Sequence, residues 1–191
     1  MRWQQESQVR RFAACLCIGE EEAHARLTAA RRKRTEAGLP KTSLAELFVS
    51  LGVKLPTIIK WREEEFSPAE WLRPDPGLRV ALDALASSYS LLLLTNNPRK
   101  VGLESLEALG VGKCFDAVVG LDDSGVSKPS AVPFRKACDT LGRTPSACIS
   151  IGDRMDIDIE PALTLGMGGI LVDGVADVVA LPALLAGTAV R

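Results

Sequence analysis

The sequence has a single histidine, His24, and a single tyrosine, Tyr89. One histidine excludes any metal site that takes two or more histidines from this chain. The five cysteines are odd in number and form no C-x-x-C pair, which argues against a zinc ribbon and against a disulfide framework. We therefore expect reduced thiols and a functional site built from other residue types.

The sequence also lacks an excess of one charge and a long apolar run. Its 23 Lys and Arg residues oppose 24 Asp and Glu residues, and this balance gives no support for a nucleic-acid partner. The polar start, MRWQQESQVRRF, lacks the apolar stretch of a secretory signal, and no window has the apolar length that spans a bilayer. We expect a cytoplasmic protein with no membrane partner.

Aspartate is absent from residues 1–74, and all eleven aspartates lie at or after Asp75. The two parts of the chain differ in pattern as well. Apolar residues recur at helical steps of three and four in the first part, around 4–37, 42–53 and 56–66. We predict an all-helical domain over residues 1–74 and a second domain over residues 75–191.

The second part alternates short apolar runs with helical patterns, which indicates βαβ units. The predicted strands are 90–95, 116–120, 147–151 and 169–172, and the predicted helices are about 77–87, 99–109, 131–141 and 156–165. The fold class is therefore α/β, with a doubly wound, Rossmann-like parallel sheet. Functional groups in such sheets collect beyond the carboxyl ends of the strands.

Two of the predicted strand ends carry residues suited to phosphate. Thr95 and Asn96 follow the first strand, where a hydroxyl and free backbone amides suit an anion. Lys128 precedes a proline and a predicted helix start, a position from which its ammonium group can neutralise a phosphate. Each segment is weak support by itself, because turn residues of these types are common in loops.

The strongest signal follows the third strand, where Asp153, Asp156 and Asp158 fall within six residues. Carboxylates this close repel one another unless a cation or hydrogen-bond donors compensate them. Mg²⁺ suits such hard oxygen ligands and commonly takes one or two carboxylates, with water and substrate phosphate in its other positions. We predict Asp153 as a metal ligand, Asp158 as a metal or supporting ligand, and Asp156 as a helix cap or solvated surface residue.

The segments TNN at 95–97, SKPS at 127–130 and GDRMDID at 152–158 occur in this order on successive strand ends. Their order and spacing resemble motifs two, three and four of the haloacid dehalogenase superfamily, chiefly its phosphatases. The resemblance covers residues 75–175 well. It implies that residues 1–74 form the small helical cap that closes over the site in many of these phosphatases.

The resemblance also implies roles for the candidate residues. Thr95 would bind the transferring phosphoryl group with Asn96 beside it, and Lys128 would stabilise the charge of that group. Asp153, with Asp158 in support, would hold Mg²⁺. The acidic fourth motif favours a phosphatase over the superfamily's dehalogenases, which need no metal. The implied substrate is a small phosphorylated metabolite.

One motif of the family is not found in the sequence. The family's first motif is an apolar strand followed by Asp-x-Asp, whose first Asp attacks phosphorus. The only Asp-x-Asp here is 156–158, which already belongs to motif four. Because the motif-one strand lies at the centre of the family's sheet, we expect a central slot. Three explanations stay open: the natural chain starts upstream of Met1, another segment or the second subunit of a homo-oligomer fills the slot, or the four strands re-pair.

Two functional hypotheses follow from these observations. The first is a Mg²⁺-dependent hydrolase of phosphate monoesters. Under this hypothesis the 191-residue chain by itself is predicted to be inactive, because it lacks the attacking aspartate. The second is a catalytically inactive relative that binds phosphate ligands or a protein partner. The enzyme is favoured by the presence of the four residues to which the resemblance gives phosphate- and metal-binding roles: Thr95, Lys128, Asp153 and Asp158. The missing first motif favours the inactive relative.

Overall fold

The computed structural model describes residues 2–39 and 42–186, with the backbone alone for residues 2–4. Met1, the predicted start of the helical domain, and residues 187–191, the predicted end of the second domain, lie outside the described residues, as do residues 40–41. Within these ranges the chain is helical up to Trp71 and alternates helices with short strands from Pro76 onward. The change of architecture therefore falls between Trp71 and Pro76.

The described residues of the first part form four helices and one further helical turn. They are α1 (Arg2–Cys15), α2 (Glu20–Glu36), α3 (Leu44–Ser50), α4 (Leu55–Glu65) and the short α5 (Pro68–Trp71). The local sequence explains how two of them start. Gly19 precedes α2, whose first turn carries Glu20–Glu22, as the helix dipole favours. Ser43 caps α3, because its hydroxyl oxygen accepts a hydrogen bond from the backbone N–H of Glu46 at 3.2 Å.

These helices enclose a hydrophobic cluster of their own. Phe48 is completely buried and stacks on Phe12 with ring centroids 4.8 Å apart, and it meets the edge of Trp61 at 6.1 Å. Leu121, which comes from the second part of the chain, is buried in the same cluster. The helical cap is therefore packed against the α/β part rather than separated from it.

The α/β part contains all four predicted strands, although most are shorter than the apolar runs. Its described elements are α6 (Pro76–Ala86), β1 (Leu92–Leu94), α7 (Arg99–Ala108), β2 (Ala117–Val119), α8 (Leu121–Ser124), α9 (Ala131–Leu141), β3 (Ile149–Gly152), α10 (Glu160–Thr164), β4 (Gly168–Leu171) and α11 (Val175–Ala186). A π-helical turn, Met155–Ile159, precedes α10 where the sequence predicted one helix over 156–165. The pattern also missed α8, which has only four residues between Gly120 and Gly125 and is too short to show a helical period.

The strands form two separate parallel pairs. β1 pairs with β2, in the register that sets Leu93 opposite Val118, and β3 pairs with β4, in the register that sets Ile151 opposite Ile170. Among the described residues no strand joins β1 to β3, so the single doubly wound sheet of the prediction is divided in two. Ile149, on β3, is 46% exposed.

The last helix, α11, packs against α6. Its Leu181 is buried with Leu78 and Leu82 of α6 in one hydrophobic cluster. The apolar pattern near the carboxyl terminus therefore serves packing within the α/β part. None of the described helices combines the length and the apolar character required to cross a bilayer.

Candidate active site

Lys128 and Asp158 form a buried ion pair at the carboxyl ends of β1 and β3. The distance between Nζ and Oδ1 is 2.5 Å, and Nζ also donates to the carbonyl oxygen of Leu94, the last residue of β1, at 3.1 Å. The two side chains are only 14% and 8% exposed. Because the two strand pairs share no hydrogen-bond ladder in the described chain, this lysine connects them at the end where ligands of α/β sheets bind.

Asp158 is held in place by the turn that follows β3. Its second carboxylate oxygen, Oδ2, accepts a hydrogen bond from the backbone N–H of Arg154 at 3.2 Å, and its carbonyl oxygen accepts one from the Ser150 hydroxyl at 2.8 Å. Gly152 lies directly beneath it, and a Cβ atom at that position would be 2.4 Å from the Cβ of Asp158. Glycine at position 152 therefore leaves the space that the Asp158 side chain occupies.

Replacing Gly152 with alanine is expected to lower the free energy of unfolding by about 1–3 kcal/mol, because the added methyl group overlaps the Asp158 side chain. Urea unfolding followed by circular dichroism measures the change. Gly174→Ala is the matched control, since a Cβ there has no neighbour within 4 Å. Equal stability of Gly152→Ala and the wild type would show that the turn can move away at no cost, and would contradict this account of the glycine.

Thr95 and Asn96 lie in the loop after β1, beside Lys128. The Thr95 hydroxyl oxygen accepts a hydrogen bond from the backbone N–H of Asn97 at 3.1 Å. The Asn96 side chain holds the main chain of Lys128 on both sides: Oδ1 accepts from the Lys128 N–H at 2.7 Å, and Nδ2 donates to the Lys128 carbonyl oxygen at 3.1 Å. Phosphate contact by Asn96 stays a prediction, and the contact that the structure shows is the positioning of Lys128.

The remaining acidic residues of the fourth motif lie nearer to solvent. Asp153 is exposed, and within the described ranges no hydrogen bond or ion pair engages its carboxylate. The Asp156 carboxylate lies 3.9 Å from the Arg154 guanidinium, at the surface. No group of three or more His, Cys, Asp or Glu side chains able to hold a metal occurs in the part of the chain that the structure describes. The donors fit a Mg²⁺ ion that takes one or two carboxylates, with Asp153 available and Asp158 already paired to Lys128.

Two side chains of the helical cap reach the loops on either side of Lys128. Arg62, on α4, donates from Nη1 to the carbonyl oxygen of Asn96 at 2.5 Å. Glu46, on α3, accepts at Oε1 from the backbone N–H of Ser127 at 3.1 Å and from its hydroxyl at 2.6 Å. Ser127 directly precedes Lys128 and is 1% exposed. The cap therefore contacts both loops that position the lysine.

Sequence reasoning did not single out Arg62 or Glu46. Arg62 lies in a charged stretch of α4, and Glu46 is a lone charged residue of the short α3; side chains of both kinds usually face solvent. The burial of Arg62 lowers the pKa of its guanidinium from the usual arginine value. The weak signal available in the sequence was the position of Arg62 beside Trp61, an apolar anchor of the cap.

A family model described as haloacid dehalogenase-like hydrolase matches residues 25–172, which is well over half of the chain. The chain belongs to this family. The matched range contains α3 and α4 of the cap, all four strands, and the three segments whose order first suggested the resemblance. The superfamily predicted from the sequence is therefore confirmed.

Curated relatives of this haloacid dehalogenase-like chain include phosphatases. The chain is 34% identical over 90 residues to the N-acylneuraminate-9-phosphatase of Rattus norvegicus, a match that covers 47% of this chain and 36% of the relative. It is 32% identical over 101 residues to a phosphoglycolate phosphatase of Aquifex aeolicus, covering 52% of this chain and 47% of the relative. The chain therefore matches less than half the length of either relative.

Solved structures of the family share the architecture. A HAD phosphatase from Thermococcus onnurineus superposes with a TM-score of 0.61 at 20% identity, covering 98% of this chain and 90% of that one. A 2-haloacid dehalogenase from Pseudomonas syringae gives a TM-score of 0.56 at 20% identity, with coverage of 97% and 90%. Likeness at this identity shows the fold alone, and the predicted Rossmann-like core with a helical cap is confirmed.

Proposed function

We propose that this chain forms the phosphate- and metal-binding part of a Mg²⁺-dependent phosphatase that hydrolyses the phosphate monoester of a small metabolite. The observation that carries the proposal is the placement of the Lys128 ammonium group. It lies at the strand ends between the carbonyl oxygen of Leu94 and the carboxylate of Asp158, in the segment order of a family that includes phosphatases. An ammonium group fixed at this place is suited to a phosphate dianion.

Each candidate residue has a distinct role in the proposed site. Lys128 neutralises the charge on the phosphoryl oxygens, and Asn96 keeps the lysine in place by holding its main chain. Thr95 presents its hydroxyl at the start of the same loop. Asp153, with Asp158 in support, would hold Mg²⁺, which when bound supplies positive charge to a phosphoryl oxygen. The helical cap covers the site and selects the substrate.

The names of the relatives support a small phosphorylated substrate. The matched curated proteins are phosphatases of N-acylneuraminate 9-phosphate and of phosphoglycolate. Both are small metabolites with one phosphate monoester, and we transfer only that class to this chain. A cytoplasmic location and a second subunit at the sheet centre are further parts of the proposal.

A catalytically inactive phosphate-binding protein is the second candidate. It is favoured by the divided sheet, because no strand lies between β1 and β3 among the described residues. Asp156 and Asp158 form the only Asp-x-Asp of the sequence, and Asp158 is already paired with Lys128. The two candidates share the phosphate site and differ in whether turnover takes place.

Titration calorimetry with inorganic phosphate, with and without Mg²⁺, tests the shared site. We expect Mg²⁺ to strengthen phosphate binding in the wild type, Asp153→Asn to remove that effect, and Lys128→Gln to weaken binding about tenfold or more. Asp139→Asn, an exposed position on α9, is the matched control for the metal variant. Absence of phosphate binding in a folded wild type would overturn the proposal.

An aryl phosphate assay then separates the two candidates. Mg²⁺-dependent turnover that Lys128→Gln abolishes would establish the hydrolase and would require a nucleophile from another segment or subunit. Phosphate binding without turnover would establish the inactive phosphate binder for the chain alone. The expected result for the chain alone is binding without turnover, because no attacking aspartate has been assigned in it.

A further inference from the structure

Two free cysteines, Cys138 and Cys148, face each other inside the α/β part. Their Sγ atoms are 3.7 Å apart, although the two residues lie ten positions apart in the sequence. Cys138 is in α9, and Cys148 directly precedes β3. A disulfide bond holds its sulfur atoms at about 2.0 Å, so the two thiols lie side by side without being bonded. The proposed phosphate site makes no use of this pair.

The two thiols differ in their surroundings. Cys138 is 3% exposed and belongs to a hydrophobic cluster with Phe134 and Met167. Cys148 is half-buried and packs against that cluster. Burial, together with the neighbouring thiol, raises the pKa of Cys138 to about 11. A reagent that arrives from solvent therefore meets Cys148 first, while Cys138 stays protonated at neutral pH.

The cysteine pair spans the division of the sheet. The helix α9 packs against β1 and β2. Cys148 leads into β3, and its carbonyl oxygen accepts a hydrogen bond from the N–H of Gly168, the first residue of β4, at 2.9 Å. Because α9 begins three residues after Lys128 and β3 ends one residue before Asp153, a bond between the sulfurs would tie the helix after the lysine to the strand before the aspartate.

We propose that Cys138 and Cys148 form a reversible redox site, at which a peroxide converts the two thiols to a disulfide that ties α9 to β3. The Cys148 thiolate attacks the peroxide: an S–O bond forms, the O–O bond breaks and hydroxide leaves. The Cys138 sulfur then displaces the hydroxyl group, which leaves as water with the Cys138 proton. The two sulfurs lose two electrons and the peroxide gains two. A dithiol reverses the step by thiol–disulfide exchange.

Peptide mapping of the wild-type chain tests this site. The folded protein is treated with hydrogen peroxide, its remaining thiols are blocked with N-ethylmaleimide, and it is digested with trypsin. Arg143 separates the two cysteines, so Cys138 falls in peptide 137–143 and Cys148 in peptide 144–154. We expect mass spectrometry to recover these two peptides joined by a disulfide, and separate after treatment with dithiothreitol. Oxidation in denaturing urea should join the five cysteines in several combinations, because the folded arrangement is lost.

Substitutions assign the roles of the two thiols. Cys138→Ser removes the thiol that completes the disulfide, so Cys148 should accumulate as a sulfenic acid, which dimedone traps. In Cys148→Ser, Cys138 should remain a thiol at the same dose of peroxide, because it is buried and protonated. Cys15→Ser, at an exposed position of α1, is the matched control and should form the disulfide as the wild type does.

Urea unfolding measures the tie between α9 and β3. The midpoint of the oxidised wild type should lie at a higher urea concentration than that of the reduced protein, and it should return after reduction, since a disulfide restricts the unfolded chain. An oxidised protein with an unchanged midpoint would overturn the tie. Recovery of both cysteines as thiols, or of Cys148 as a sulfinic acid without a link to Cys138, would overturn the redox site and leave the pair as a packing contact. A disulfide from Cys148 to Cys15 or Cys17 would overturn it too.

Discussion

Replacing Lys128 with methionine is expected to lower the free energy of unfolding by about 3–5 kcal/mol, because it leaves the Asp158 carboxylate buried without its cation. Methionine keeps most of the volume and the apolar stem of lysine, so the change removes the charge with little loss of packing. The Asp158 carboxylate would keep one hydrogen bond, from the backbone N–H of Arg154. Chemical unfolding of the two proteins at neutral pH measures the difference.

Asp158, the other member of the ion pair, provides the internal control for this prediction. In the Asp158→Asn background there is no carboxylate to leave uncompensated, so Lys128→Met should cost much less than it does in the wild type. Lys136→Met, at an exposed position of α9, should change stability by about 0.5 kcal/mol or less. An equal cost of Lys128→Met in both backgrounds would show that the ion pair is not the source of the destabilisation.

The sequence predicted those parts of the site that depend on local order along the chain. Lys128 and Asp158 could be found because they lie in the segments that connect β2 and β3 to the helices after them, and parallel strands bring their carboxyl ends to one edge. The segments 127–130 and 152–158, which contain these two residues and resemble family motifs, are also short and continuous in the sequence. The strands were found in the same way, from short apolar runs whose positions the structure confirms.

Features that depend on contacts between distant segments could not be predicted in this way. The cap residues Glu46 and Arg62 meet the core at Ser127 and Asn96, across sequence separations of 81 and 34 residues. No periodicity marks these positions: Glu46 is the only charged residue of α3, and α4 carries other charged residues, such as Lys60 and Glu64, that are exposed. The division of the sheet has the same origin, because an apolar run predicts a strand but does not determine which strand it pairs with.

These contacts make the cap part of the site. Glu46 holds Ser127 immediately before Lys128, and Arg62 holds Asn96, whose side chain holds the main chain of Lys128. The cap therefore positions the lysine from two sides without touching its ammonium group. Movement of the cap would break the hydrogen bonds of Glu46 and Arg62 together. The placement of Lys128 therefore depends on the packing that keeps α3 and α4 in position.

Replacing Phe48 with alanine is expected to lower the free energy of unfolding by about 3–5 kcal/mol, since its ring is completely buried at the centre of the cap. The substitution removes the stacking contact with Phe12 and the edge contact with Trp61. Val49→Ala, the next residue along α3 and 46% exposed, is the matched control and should cost about 0.5 kcal/mol or less. Urea unfolding followed by tryptophan fluorescence measures both variants.

The same substitution tests whether the cap controls the site. Phe48 lies on the helix that carries Glu46, and the backbone N–H of Ser127 donates to Glu46 at 3.1 Å. If the cap loosens in Phe48→Ala, hydrogen exchange at the Ser127 amide should become faster, while the Val49→Ala protein should exchange at the wild-type rate. Faster exchange confined to α1–α4, with Ser127 still protected, would contradict the coupling, because the loop before Lys128 would then be held by the core alone.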